Sequence, residues 1–238
     1  MRIICISDTH CNHDEITVPE GDVLVHAGDS CVRGTLEELK SFGEWLVDLP
    51  HARKVIVLGN HDIRGDRLDG RRYLDTLTDR GVDVLNGTST DVGGLKVWGT
   101  PHSRSLHGPA SSDWAFGHRD GKDQYFQAIP EDVDILVTHG PAYGVLDRCV
   151  VARYFGKPVQ GPVGSVDLRK TINKTKPRLH IHGHIHECSG HKDSVLSCGH
   201  RILTVNAAIM DEAYNVSHLP KTVDFIPTRE GTHFKVRE

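Results

Sequence analysis

Residues 54–62 read KVIVLGNHD: a run of four apolar residues, three of them β-branched, closed by Gly59 and then by Asn60, His61 and Asp62. A short apolar run bounded in this way is the pattern of a strand buried on both faces. The same grammar recurs four times. RIICI (2–6) precedes Ser7-Asp8, DVLVHAG (22–28) precedes Asp29, DILVT (134–138) precedes His139-Gly140, and RLHIH (178–182) precedes Gly183-His184-Ile185-His186. Five strands therefore aim polar residues at one edge.

Helical patterns lie between these runs. After Thr35, the residues Leu36, Leu39, Phe42 and Leu46 fall at helical spacing, and Thr35 with Glu38 forms a capping box. A weaker helix covers roughly Tyr73 to Arg80 and stops at Gly81; another starts near Ser165 and ends before Pro177. Strand, helix, strand implies parallel strands with right-handed crossovers, and in such sheets ligands sit outside the carboxyl ends. From Val82 the pattern changes. VDVL, Asn86-Gly87, TSTDV, Gly93-Gly94 and LKVWG read as hairpins of a second or mixed sheet. Ser103 to Asp123 reads as a long loop carrying Trp114 and Phe116.

The chain has 238 residues, which favours one domain over residues 1–238. With 37% hydrophobic and 25% charged residues and a mean hydropathy of −0.36, no stretch reaches the length of a membrane span. A net charge of −4 argues against an extended nucleic-acid partner. The N-terminal apolar run is too short for a secretory signal, and six scattered cysteines fit a reducing, cytoplasmic setting. Histidine is the unusual count: 17 residues, five of them between His180 and His191.

The polar clusters carry chemistry. Asp8 and His10, two residues apart, can reach one cation from the same side of an extended chain. Asp29, from the neighbouring strand end, is placed to bridge two cations. Asn60, His139, His184 and His186 complete a set of seven oxygen and imidazole donors, enough for two divalent metals, with Mn, Fe or Zn better suited than Mg or Ca. Two such ions on two carboxylates leave a net charge of +2, which attracts a phosphate ester and favours a bridging hydroxide as nucleophile.

In their order D-x-H, G-D, G-N-H-D, H-G and G-H-x-H, these motifs resemble the calcineurin-like metallophosphoesterases from Asp8 to His186. The resemblance implies an α/β fold, a four-layer αββα sandwich of two mixed sheets flanked by helices. It implies one metal on Asp8, His10, Asp29 and His186 and another on Asp29, Asn60, His139 and His184, with Asn60 and His61 catalytic. By the same resemblance, His61 is expected to contact the phosphate and to be able to protonate the leaving oxygen. Looser matches at THGP (138–141), DWAF (113–116), GHIHE (183–187) and Asn206-Ala207 resemble the metallophosphoesterase-domain-containing branch, which acts on cyclic nucleotides and other phosphodiesters. His102 departs from that branch, where a bulkier apolar residue is expected, as does Cys188, where glycine is usual.

Trp114, Phe116 and His102 are the candidate substrate-binding residues, with Tyr143 a further loop aromatic able to stack on a base. Cys188, His191, Cys198 and His200 lack the tight spacing of a zinc knuckle, and a solvated loop explains them. His180 and His182 read as the polar face of a strand, and Arg64, Arg67, Arg71 and Arg72 as a solvated helix face. The expected function is hydrolysis of a small phosphodiester such as a cyclic nucleotide. A phosphomonoesterase or protein phosphatase, a nuclease and a non-catalytic scaffold are the alternatives.

Overall fold

Ile3 and Cys5 leave the first strand on one side and Ile4 and Ile6 on the other, and all four are buried. That double burial gives the strand apolar layers on both faces. The computed structural model describes residues 1–63, 67–105, 115–118, 120–121, 124–149, 153–154, 157–158, 161–228 and 231–237. Its main strands are β1 (Arg2–Ile6), β2 (Val23–Ala27), β3 (Arg53–Val57), β4 (Val82–Val84), β5 (Thr88–Val92), β6 (Leu95–Thr100), β7 (Ile135–Thr138), β8 (Leu179–His182), β9 (Gly190–Val195), β10 (Arg201–Asn206), β11 (Lys221–Thr228) and β12 (Gly231–Val236). The helices are α1 (Leu36–Asp48), α2 (Arg67–Asp79), α3 (Gln124–Gln127) and α4 (Val166–Thr175).

Two mixed six-stranded sheets result, in the orders β12-β11-β1-β2-β3-β4 and β9-β10-β8-β7-β6-β5. The first is parallel from β1 to β4 and antiparallel at β11 and β12. The second is parallel across β10, β8, β7 and β6, with antiparallel edges at β9 and β5. Three apolar clusters mark the interfaces between four layers. Val25, Val55, Val137, Ile181 and Val205 meet between the sheets. Leu24 and Ile56 pack outward on Leu39, Phe42 and Leu46 of α1 and Leu77 of α2. Leu136 and Ile202 pack outward on Phe126 of α3 and Leu168 and Ile172 of α4. This is an αββα sandwich.

Local signals account for the helix ends. The Thr35 hydroxyl accepts from the Glu38 N–H at 3.2 Å while the Glu38 carboxylate accepts from the Thr35 N–H at 3.2 Å, a reciprocal cap worth about 1 kcal/mol. Ser165 caps α4 by accepting from Leu168 N–H at 3.2 Å.

Several expectations need correction. The segment 82–84 is no hairpin arm: β4 pairs parallel with β3, because α2 returns the chain to the first sheet as a crossover, and the chain changes sheets only at Asn86-Gly87. The hairpin through Gly93-Gly94 joins β5 to β6 as read. α2 begins at Arg67, ahead of the expected start. His180 pairs with Leu136 and so lies on the face covered by α3 and α4, buried, with Nε2 2.9 Å from the Thr138 hydroxyl. Ser103–Arg104 and Gly117–His118 form a short parallel ladder inside the expected loop. Among the described residues no helix is long and apolar enough to cross a membrane.

Candidate metal centre

The carboxyl ends of β1, β2 and β3 meet those of β7 and β8 where the two sheets join. Backbone hydrogen bonds stitch the junction: Asp8 N–H to Gly28 O (2.8 Å), His10 N–H to Asp29 O (3.1 Å), Ser7 N–H to Ala207 O (2.9 Å) and Gly183 N–H to His139 O (3.0 Å). Just past the strands, Asp8 (φ 53°), His10 (φ 38°), Asp29 (φ 57°) and His184 (φ 71°) adopt left-handed backbone. Such turns cost energy for any side-chain-bearing residue but least for Asp, Asn and His, and they cluster at functional sites.

Three groups of donor atoms converge, each within 4.8 Å of one another: Asp8, His10 and His186; Asp29, His139 and His184; and His10, Asp29 and His61. Asp29 belongs to two groups, as a bridging carboxylate would. Asn60 joins the second, its Oδ1 3.0 Å from His139 Nε2. Asp29 Oδ2 lies 3.2 Å and His184 Nδ1 3.2 Å from that same nitrogen. The Asp8 carboxylate accepts from the His184 N–H at 3.0 Å and from the Ser7 hydroxyl. His186 Nε2 stands 3.5 Å from Asp8 Oδ1.

Tautomers follow from the backbone. Nδ1 of His10 donates to Cys31 O (2.9 Å), that of His139 to Ala27 O (2.9 Å) and that of His186 to Asp211 O (2.9 Å). Each ring thus turns Nε2 towards the centre, the arrangement typical of metal-binding imidazoles. Burial pushes His10 down to about 4 and His184 down to about 3, so both are neutral at pH 7. The Nε2 atom of His10 is buried without a hydrogen-bond partner, while His184 faces the centre through Nδ1. Burial by itself would raise Asp8 and Asp29, but the charge and hydrogen bond of His186 hold Asp8 low, and those of His139 hold Asp29 well below the usual carboxylate range. Against their own burial, His139 and His186 rise to about 9 beside those carboxylates. Two buried anions, converging imidazole nitrogens, that of His10 without a hydrogen-bond partner, and an amide oxygen in one place form a donor set that divalent cations fit.

The comparisons with known proteins agree with this geometry. Residues 1–188 match the calcineurin-like phosphoesterase family. The chain belongs to that family. It is 34% identical to the human metallophosphoesterase domain-containing protein 1 over 95% of this chain and 71% of that protein. It is 33% identical to UPF0046 protein K07C11.7 of Caenorhabditis elegans over 96% of this chain and 76% of that one. Among solved structures, TT1561 of Thermus thermophilus shares the fold with a TM-score of 0.60, 15% identity and coverage of 86% of this chain and 88% of that one. Calcineurin-like phosphoesterases are metal-dependent phosphoester hydrolases, and the Asp and His clusters here are those able to hold the ions.

In this calcineurin-like site His61 fixes its ring by donating from Nδ1 to Val32 O at 2.8 Å, and its N–H donates to Asp29 Oδ1 at 2.8 Å. Trp114 lies outside the described residues, as does Arg64. Phe116 is half-buried against the α1 side cluster, and His102 meets it edge-on at 5.8 Å while stacking on Tyr125 at 3.9 Å. The Ala115 N–H donates to Asn60 O at 3.2 Å, placing that segment beside the Asn60 side of the site. Tyr143 is exposed, as are Arg71 and Arg72. Cys188, His191, Cys198 and His200 form no ligand group among the described residues: the Cys188 thiol donates to Arg148 O and His200 Nε2 to Pro177 O.

Three contributors had no assigned role in the sequence. Asp62 accepts four hydrogen bonds beneath Asp29. Asn206 donates to Ile185 O at 2.8 Å and so holds the turn between His184 and His186. Tyr214 places its ring 4.8 Å from that of His10 and 5.2 Å from that of His186. The GNHD and Asn206-Ala207 motifs could have signalled the first two; nothing local marks Tyr214.

Proposed function

We propose that the protein hydrolyses small phosphodiesters, cyclic nucleotides among them, at a centre of two divalent metals. Asp8, His10, Asp29 and His186 would hold one ion and Asp29, Asn60, His139 and His184 the other. The observation that carries the reading is Asp29, whose carboxylate belongs to two donor groups at the meeting of both sheets. Bound there, the ions would supply Lewis acidity and the activation of water at neutral pH.

The chain's own residues do the rest. Asp8 and Asp29 bring two negative charges, so a loaded site keeps +2, enough to neutralise a diester monoanion and still stabilise the charge that develops in the transition state. A monoester dianion binds more tightly before reaction and gains less from the same field. His61, its Nδ1 committed to the Val32 carbonyl, can deliver a proton to a leaving alkoxide only from Nε2. A net charge of −4 supplies no broad basic surface for a long polyanion, which favours a short substrate.

Steady-state kinetics with Mn²⁺ on cyclic nucleotides, bis-p-nitrophenyl phosphate and p-nitrophenyl phosphate test the proposal. Higher kcat/KM for the diesters is expected. A clear preference for the monoester would replace this reading with a phosphatase, and no turnover with metals bound would replace it with a scaffold.

A further inference from the structure

Tyr214 sits in the turn after β10, far in sequence from every candidate metal ligand, and yet borders the site. Its ring stands nearly perpendicular to both candidate ligands, at 65° to His10 and 75° to His186, while the residue keeps 49% of its surface exposed. Its backbone is left-handed at φ 63°, a conformation that an aromatic residue adopts against its preference and that Asn or Gly would adopt at little cost. The turn is built to impose this. The Asp211 carboxylate accepts from the N–H groups of Ala213 and Asn215 at 2.9 Å each and from the Ser217 hydroxyl at 2.9 Å, and the Asp211 carbonyl accepts from His186 Nδ1 at 2.9 Å. One turn therefore orients a ligand and presents a ring beside it. About half of the residue's surface stays open beside the two candidate ligands, where a bound molecule can reach it.

We propose that Tyr214 is a specificity-determining residue whose ring packs against the planar organic group of a bound phosphoester, the base of a nucleotide or an aryl group. The inference rests on the phosphoesterase reading of the site. It assigns the recognition of the organic group to the His10–His186 side. Phe116, on the Asn60 side, is engaged with the core and with His102.

The test compares two anions that differ only in the organic group and that hydrolysis cannot consume, phenylphosphonate and methylphosphonate, titrated calorimetrically into the Mn²⁺-loaded full chain. Wild type should bind the phenyl compound more tightly. Tyr214→Asn, which removes the ring and suits the left-handed backbone, should weaken phenylphosphonate by roughly 5- to 100-fold, the range of base–aromatic stacking, and leave methylphosphonate within about twofold. Tyr214→Phe should retain the wild-type ratio, since the ring and not the hydroxyl makes the contact. Metal content should stay unchanged in both variants. Equal weakening of the two phosphonates, loss of metal, or an unchanged ratio in Tyr214→Asn would each overturn the assignment and leave the ring a structural shield of His10 and His186. The phosphodiesterase reading is judged separately: it falls if the loaded wild type turns over no ester, whatever the phosphonate ratio.

Discussion

Asp62 is 1% exposed and accepts from the N–H groups of Gly59 (2.6 Å), Asp29 (2.9 Å) and Cys31 (2.9 Å) and from the Ser30 hydroxyl (2.8 Å). Burial, and then the charge of Asp29, pushes its carboxyl up, while three of these same bonds pull it down. The residue thus holds the loop that carries Asp29. An amide in its place offers one acceptor and turns two donors towards backbone donors. Asp62→Asn should cost about 2–4 kcal/mol in urea unfolding and lower the metal content of both proposed sites together, because Asp29 would serve both. A variant with normal metal content would show that Asp29 keeps its place without this anchor. His61 is the opposite case, a residue whose removal should spare the structure. His61→Ala should reduce kcat by ~10²–10⁴ with elemental analysis still finding two metals, and less for p-nitrophenyl esters, whose leaving group needs no proton. Loss of a metal would instead make His61 a ligand, as its proximity to His10 and Asp29 permits. The candidate ligands were legible because each follows a strand at a spacing that only one edge of a sheet can gather. Asp62 was visible as a letter of GNHD but not as a backbone anchor, since a sequence does not show whether a buried carboxylate faces a cation or a row of N–H groups. Tyr214 was invisible because a turn brings it back from outside every motif.

At the scale of elements, the glycines of the motifs have a steric reason. A Cβ on Gly183 would lie 2.0 Å from Ser7 Oγ and 2.1 Å from Asp8 Oδ2, and one on Gly59 would lie 2.2 Å from Asp29 Oδ1. β8 and β3 can deliver their turns against these carboxylates only without side chains there. Gly183→Ala should therefore displace Asp8 and deplete metal from the Asp8, His10 and His186 group. By contrast, Gly70 lies inside α2 with the nearest atom 3.9 Å from an added Cβ, and Gly70→Ala should stabilise by about 0.5–1 kcal/mol through helix propensity, read as a higher melting temperature. Buried strands and capped α1 were legible, because alternation into two apolar layers and a capping box leave direct marks. β4 was misassigned, since Asn86-Gly87 is a good turn wherever the next strand goes and a three-residue strand does not declare its sheet. The strands β9 and β12 lie at sheet edges, with β11 next to the edge, and β9 and β11 carry polar residues such as Lys192, Asp193 and Asp224, so they lack the apolar run that marked the others.

For the whole molecule, burying histidines on the helix-covered faces of both sheets, His26 against Phe42 of α1 and His180 on the α3 and α4 side, has a consequence for acid stability. His26 on β2 is 1% exposed, with Nε2 3.3 Å from the Thr9 hydroxyl and Nδ1 accepting from Gly28 N–H at 3.3 Å. Burial pushes it down to about 3, against the pull of Asp8 and Asp29 and with the added push of His139 and His13. His180, equally buried, is also held well below the ordinary range. Their folded pKa values lie below that of an unfolded histidine, about 6.5, so the unfolded chain takes up protons first as the pH falls. Their contribution is fully present above about pH 6.5 and is lost progressively below it, at up to about 1.4 kcal/mol per pH unit for each such group. Other histidines that burial holds low, His10 and His184 among them, add to the same acid limb, whereas the raised His139 and His186 act between about 6.5 and 9 and lose their contribution as the pH rises. Urea unfolding of the chelated protein between pH 7.5 and pH 4.5 should therefore show stability falling with acid from about pH 6.5, before most carboxylates titrate. His26→Asn, which keeps a polar group near Gly28 but cannot titrate, should have a shallower acid slope by about 1.4 kcal/mol per pH unit, whatever its stability at pH 7.5. A slope identical to wild type would mean that His26 ionises as readily in the folded protein as in the unfolded chain, and that the layer between the first sheet and α1 admits water to it.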